Sequence, residues 1–257
     1  MTEKRSERVI VSGATSGIGR AIALRLAKRA AIVGVLGRRA EAAAKVAAEV
    51  KSLGAEAQVL VADVSDPAQV ESAVQAFCKT AGGIDTVVSS AGIAATAAVA
   101  DCAVADFQQM VGINLCGTFY LARWTLPELI KSKGTFTAIS SDAGTQGAQG
   151  YGAYCATKHG VNGLIKCMAL DYGARGVRCN AICPQFVETP MADQLFTGMT
   201  PAEVDYYRRS VPLGRFARPE EVASIVAHLT SAEAAYTNGM MYALDGGSTA
   251  GYYSAPA

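Results

Sequence analysis

Apolar and polar positions along the chain form two alternating kinds of segment. Short, nearly continuous apolar runs of strand length are separated by longer stretches in which apolar residues recur every three or four positions. The runs are "RVIVSG", "AIVGVLG", "AQVLVADV", "IDTVVSSAG", "TFTAIS", "VRCNAIC" and "MMYAL". Between them the pattern predicts helices from Ile18 to about Arg29, Ala40 to Leu53, Pro67 to about Lys79 and Asp106 to Ile130, the last bent at Pro127. Two more run from Tyr151 to about Gly173 and from Pro219 to Leu229, and a looser stretch from Pro184 to Pro212 breaks the rhythm. Strands apolar on both faces, alternating with helices, imply a parallel sheet covered on both sides. The expectation is one α/β domain over residues 1–257, a doubly wound parallel sheet of about seven strands with helices on both faces.

Composition narrows the function classes. Of 257 residues, 51% are hydrophobic and 18% charged, enough apolar material for a large core. A net charge of +1 gives no field for nucleic acid or an anionic membrane. No apolar run reaches the ~20 residues of a membrane span. "MTEKRSERVIVSG" reads as a charged arm entering a strand rather than as a signal peptide. Seven scattered cysteines and two histidines suggest neither a disulfide framework nor a metal site, and a reducing cytoplasm is expected.

The first strand enters "SGATSGIG", in which Gly13, Gly17 and Gly19 are interleaved with Thr15, Ser16 and Ile18. A strand, a tight glycine turn and a helix start make an anion site. Backbone N–H groups and the positive helix end face a phosphate, and missing side chains let it approach. The spacing is Gly-x-x-x-Gly-x-Gly, not the commoner Gly-x-Gly-x-x-Gly. An acidic residue at the end of the second strand would take a ribose 2′-hydroxyl. This chain has Arg38 and Arg39 there, and the planar guanidinium suits a phosphate. NADP(H) is therefore favoured, with NAD(H) the alternative.

In "YGAYCATKHG", Lys158 lies four residues after Tyr154, on the same helix face, with Tyr151 a turn further off. A free phenol has a pKa of about 10, and a neighbouring ammonium lowers it, which makes Tyr154 a candidate proton donor and acceptor. Ser140 and Ser141 stand where the fifth strand leaves the sheet, at the carboxyl edge where such sheets hold ligands. Either hydroxyl can bond a substrate oxygen. His159 turns to another side of the helix and reads as structural, and Trp124 as core or subunit contact.

With "ADVSD", "SSAG", "GIN", "AISS", "YCATK", "NAICPQFVETP" and "NGMMYALDGG" following in order, the sequence resembles the short-chain dehydrogenase/reductase family over almost its whole length. The resemblance implies a Rossmann-type fold and an NAD(P)-dependent oxidoreductase. The family's serine stands thirteen residues before its tyrosine, which selects Ser141 with Tyr154. By the same carry-over Asn114 joins Ser141, Tyr154 and Lys158 in a catalytic tetrad, supporting a water chain from the lysine. Asp63 would contact adenine with Val64 beside it. Ser90, Ala91 and Gly92 would line the ribose side. Lys158 would bind nicotinamide ribose hydroxyls, and Val187 and Thr189 would meet the carboxamide. A homotetramer is implied, with the tail "GYYSAPA" packed on a neighbour or on the active site.

The chain departs from the family pattern in three places. Ser89 and Ser90 replace two asparagines, Gln185 replaces glycine after Pro184, and Ser12 stands where threonine is common. Gln185 adds bulk and polarity at the substrate cleft, where it joins Ser141 and Tyr154 as a candidate substrate contact. The segment "AGIAATAAVADCAVAD" and a mobile lid over 188–212, with Met191, Leu195, Phe196 and Met199, would flank that cleft. Their apolar character suits a small aliphatic or cyclic secondary alcohol or ketone. The competing readings are a 3-oxoacyl thioester reductase and a non-catalytic dinucleotide sensor.

Overall fold

The computed structural model describes residues 6–254. Seven strands form one parallel sheet: β1 (Glu7–Ser12), β2 (Ala30–Gly37), β3 (Glu56–Val61), β4 (Thr86–Ser89), β5 (Thr135–Ile139), β6 (Arg178–Pro184) and β7 (Met241–Leu244). Their order across the sheet is β3-β2-β1-β4-β5-β6-β7, with every pairing parallel. The chain winds outward from β1 in one direction and then outward from β4 in the other. The order reverses between β1 and β4, and a crevice opens there at the strands' carboxyl ends.

Helices cover both faces, and each face has its own core. On one side lie α1 (Gly17–Ala27), α2 (Ala40–Ser52) and, from the end of the chain, α9 (Pro219–Leu229). On the other lie α3 (Pro67–Ala81), α5 (Gly117–Ser132) and α6 (Gly152–Gly173), packed around Phe77, Phe136, Leu121 and Ile165. Phe77 and Phe136 are fully buried, and each contributes about 2–3 kcal/mol through apolar area removed from water. Local chemistry sets several helix starts. Asp66 accepts the Ala68 and Gln69 N–H groups ahead of Pro67, and α9 begins at Pro219, whose missing N–H is no loss in a first turn.

The helix expected over Asp106–Ile130 is three pieces end to end. A short α4 (Val104–Met110) runs into a turn of π-helix (Val111–Cys116) and then into α5. The irregularity therefore falls at the π turn, and α5 continues through the exposed Pro127, where solvent can satisfy the carbonyl that proline leaves free. The stretch after β6 also holds more order than its pattern suggested. It contains α7 (Pro190–Leu195), capped by Thr189, and α8 (Pro201–Arg209), opened by a reciprocal Thr200–Glu203 cap.

Candidate active site

The crevice between the two halves of the sheet is a cleft of about 1380 Å³. Its floor is the β1–α1 turn. Gly13 has φ +64°, and a Cβ there would lie 2.7 Å from the Ala91 backbone beyond β4. A Cβ at Gly19 would lie 2.2 Å from the Gly13 carbonyl oxygen. Both positions admit only glycine, and the bare backbone they leave faces the cleft with Thr15, Ser16, Gly17 and Ile18. Ser12 ties this floor to the next strand: its Oγ accepts the Ser90 and Ala91 N–H groups at 3.1 and 3.3 Å. Ser89, which replaces one family asparagine, is buried and shares a 3.0 Å hydrogen bond with Thr118.

Arg38 and Arg39 leave the end of β2 exposed at the cleft margin, and Arg38 stands 3.6 Å from Asp63 at the end of β3. Burial pushes the Asp63 carboxyl up, but hydrogen bonds from Ser65 and the nearby Arg38 hold it below its ordinary value. Val64, Ser90, Ala91 and Gly92 continue the same wall, and Val187 and Thr189 close it from above. This cradle fits a dinucleotide: bare glycine backbone at a helix start suits the phosphates, with Arg38 and Asp63 at the margin for its adenosine end.

At the far end of the cleft stand Ser141, Tyr154 and Lys158. Ser141 is the second residue past β5 and is 8% exposed. Ser140, the other candidate, donates instead to the Lys158 carbonyl at 3.4 Å and is spent on packing β5 to α6. Tyr154 reaches Ser141 from the first turn of α6, and its ring meets that of Tyr151 edge-on at 6.2 Å. One helical turn on, Lys158 is buried with its Nζ 5.5 Å from the Tyr154 ring centre. His159 is exposed and bonds the Cys155 carbonyl within α6, outside the cleft. Trp124 is half-buried against the core.

Asn114 lies behind this group, on the π turn, and is 1% exposed. Its Oδ1 accepts the Ile93 N–H and its Nδ2 donates to the Ile93 carbonyl, both at 2.9 Å, and also to Thr157 at 3.1 Å. It thereby clamps the strand end after β4 to α6. Nothing in "GIN" signalled Ile93 or Thr157 as its partners.

One expectation is corrected. Lys158 does not lower the Tyr154 pKa. Its Nζ donates to the Ile139 carbonyl at 2.8 Å rather than to the phenol. Burial raises the Tyr154 phenol well above its ordinary value, outweighing the Ser141 hydroxyl. Burial likewise pushes the Lys158 ammonium down to about 8. The phenol is thus held as a proton donor.

The substrate end of the cleft is lined by Ile93, Tyr151, Phe186, Met191, Leu195 and Tyr207. Phe186, Phe196, Tyr207 and Phe216 form a ring cluster with centroids 5.2–5.8 Å apart, which anchors the segment carrying α7 and α8. Gln185 also faces the cleft, and its Oε1 accepts the Ser248 hydroxyl at 2.9 Å. Sequence reasoning passed over Asp142, which sits beside Ser141, and Gln146, Gln149 and Gln194 at the rim. Tyr252 and Tyr253 of the tail are exposed, and residues 255–257 lie outside the described residues.

Residues 13–249 match the family model described as enoyl-(acyl carrier protein) reductase. The chain belongs to the short-chain dehydrogenase/reductase family. Within it, the chain is 36% identical over 243 residues to meso-2,3-butanediol dehydrogenase from Serratia marcescens, covering 94% of each chain. It is 32% identical to cyclohexanol dehydrogenase from Acinetobacter sp. (strain SE19), covering 97% of this chain and 98% of that one. Among solved structures, levodione reductase superposes with a TM-score of 0.93 at 33% identity, over 97% of this chain and all of the other. Short-chain dehydrogenase/reductases are NAD(P)-dependent oxidoreductases, and this chain is an enzyme of that kind. No described helix is long and apolar enough to cross a membrane.

Proposed function

We propose that this enzyme interconverts a secondary alcohol and a ketone on a small, largely apolar aliphatic or cyclic substrate. The observation that carries this reading is the meeting of Ser141, Tyr154 and Lys158 at one end of a glycine-floored cleft. A bound nicotinamide would supply or take up hydride at the substrate carbon. Ser141 orients the substrate oxygen by hydrogen bonding. Tyr154 gives that oxygen a proton in reduction and accepts it in oxidation. Lys158 holds the ribose hydroxyls, and Asn114 holds the wall behind them and supports a water chain from the lysine. The apolar lining, and relatives that act on butanediol and cyclohexanol, support the substrate class.

Asp63, Val64, Ser90, Ala91, Gly92, Val187 and Thr189 take the dinucleotide as the sequence predicts, and Gln185 borders the substrate. We further read Arg38 and Arg39 as a 2′-phosphate site, so that NADP(H) is preferred over NAD(H). We read the 188–212 segment as a lid. The exposed apolar residues Val104, Phe107, Phe119 and Leu170 on α4, α5 and α6 support a homotetramer, and seven free cysteines suit the reducing cytoplasm.

One experiment addresses these readings together. Purified protein is offered a panel of secondary alcohols, ketones, phosphorylated sugars and a 3-oxoacyl thioester, with each nicotinamide, and the same sample is sedimented. The expected result is turnover of cyclic or short aliphatic ketones, a lower KM for NADPH than for NADH, and a tetramer. Replacing Arg38 by Asp should reverse the cofactor preference. Turnover confined to the thioester or to phosphorylated compounds contradicts the substrate reading, and a lower KM for NADH contradicts the cofactor reading.

A further inference from the structure

Asp142 follows Ser141 at the carboxyl end of β5, and its Oδ1 accepts the Ser141 hydroxyl at 2.8 Å. The same oxygen accepts the Ala143 N–H at 2.8 Å, and Gln146 also bonds the carboxylate. A serine hydroxyl has one proton to donate. While that proton points to Asp142, it is withheld from Tyr154 and from any substrate oxygen in the cleft. The serine's other acceptor, the Pro184 carbonyl, is longer at 3.4 Å.

We propose that Asp142 is a positioning residue of this site. As a carboxylate it takes the Ser141 proton and leaves the serine oxygen as an acceptor; as a carboxylic acid it releases that proton toward a substrate carbonyl. The inference rests on the alcohol–ketone reading above. A ketone oxygen only accepts, so its reduction needs Ser141 as donor. The alcohol's one O–H proton must face Tyr154, so its oxidation needs Ser141 as donor to the same oxygen. Ionisation of Asp142 thus weakens both directions.

The surroundings of Asp142 favour a switch above the ordinary carboxylate range. Burial raises its carboxyl and Asp245, beyond β7, adds in the same direction, while Ser141, Ala143 and Gln146 oppose them. Tyr151, just ahead of α6, and Tyr154, in its first turn, face it. Among the described residues no cation forms an ion pair with it, whereas Arg38, Arg208, Arg209, Arg215 and Arg218 each have an acidic partner. A carboxylate kept without a cation can lose its charge within the working pH range.

The test is the pH profile of kcat/KM for ketone reduction and alcohol oxidation in the wild type, Asp142→Asn and Asp142→Ser. In the wild type, reduction should fall roughly tenfold as Asp142 ionises, the worth of one charge-assisted hydrogen bond. Oxidation passes through the same transition state and should carry the same falling limb, and both variants should lose it from both directions. If Asp142→Asn folds poorly, Asp142→Ser retains an oxygen for the Ala143 N–H. Carboxyl-carbon NMR, with a variant assigning the signal, should place the Asp142 titration at the kinetic limb. Variant profiles parallel to the wild type at every pH, or an Asp142 titration in the ordinary carboxylate range, overturn the proposal. Tyr154→Phe run alongside separates the two levels. Its activity persisting would defeat the alcohol–ketone mechanism, whereas an inactive Tyr154→Phe with parallel Asp142 profiles defeats only the role of Asp142.

Discussion

Replacing Tyr154 by phenylalanine should lower kcat/KM about 10²–10⁴-fold while leaving cofactor affinity largely intact. The substitution removes one oxygen and keeps the ring that packs edge-on against Tyr151. What is lost is the hydroxyl that meets Ser141 at the cleft end. Proton transfer by a positioned side chain is worth that factor. Because the lost interaction is made with the reacting oxygen, kcat and kcat/KM should fall together with little change in KM. Fluorescence titration with reduced nicotinamide checks the binding half, and steady-state assay the chemical half. A variant retaining more than a tenth of wild-type turnover would show that another group moves the proton.

Lys158→Met should be as damaging to turnover, but with a different signature. Lys158 lines the cleft beside the Tyr154 ring, where the ribose would lie, so cofactor affinity should fall as well, by about tenfold for a lost charged hydrogen bond. Stability supplies a second signature. Burial holds the Lys158 ammonium at about 8, below its ordinary 10.5. Between these two values the unfolded chain binds a proton that the folded protein does not, so wild-type stability should rise with pH across that window. At about 1.36 kcal/mol per pH unit the rise from this group is about 3 kcal/mol. Lys158→Met lacks the group and should lack that rise. Denaturant melts of both proteins across the window measure it, and parallel curves would mean that Lys158 titrates normally.

Much of the architecture was legible because its cause is local. The strands are apolar on both faces, and the helices between them carry an apolar stripe every three or four residues. The β1–α1 turn was legible because Gly13 and Gly19 stand where no other residue fits. Other features depend on contacts that sequence spacing does not contain. The π turn at Asn114 is fixed by Ile93 and Thr157, one of them 43 residues away. The helices α7 and α8 were hidden because α8 buries none of its residues and so has no apolar stripe to read. The pairing of Tyr154 with Lys158 was visible from helix geometry, but the sign of the phenol's shift was not. It follows from burial and from the Ile139 carbonyl that engages the amine. Asp142 was invisible for the same reason. Its meaning comes from Ser141, the cleft, and the lack of a cation partner among the described residues.

The central claim is that the Tyr154 hydroxyl exchanges a proton with the substrate oxygen beside the nicotinamide. The most direct measurement is a crystal structure of the protein with cofactor and a slow alcohol or ketone bound together. The account predicts the Tyr154 hydroxyl and Ser141 Oγ both within about 2.6–3.2 Å of the substrate oxygen, with Lys158 at the ribose. A substrate bound with its oxygen against other groups, and the phenol turned to solvent, would contradict it.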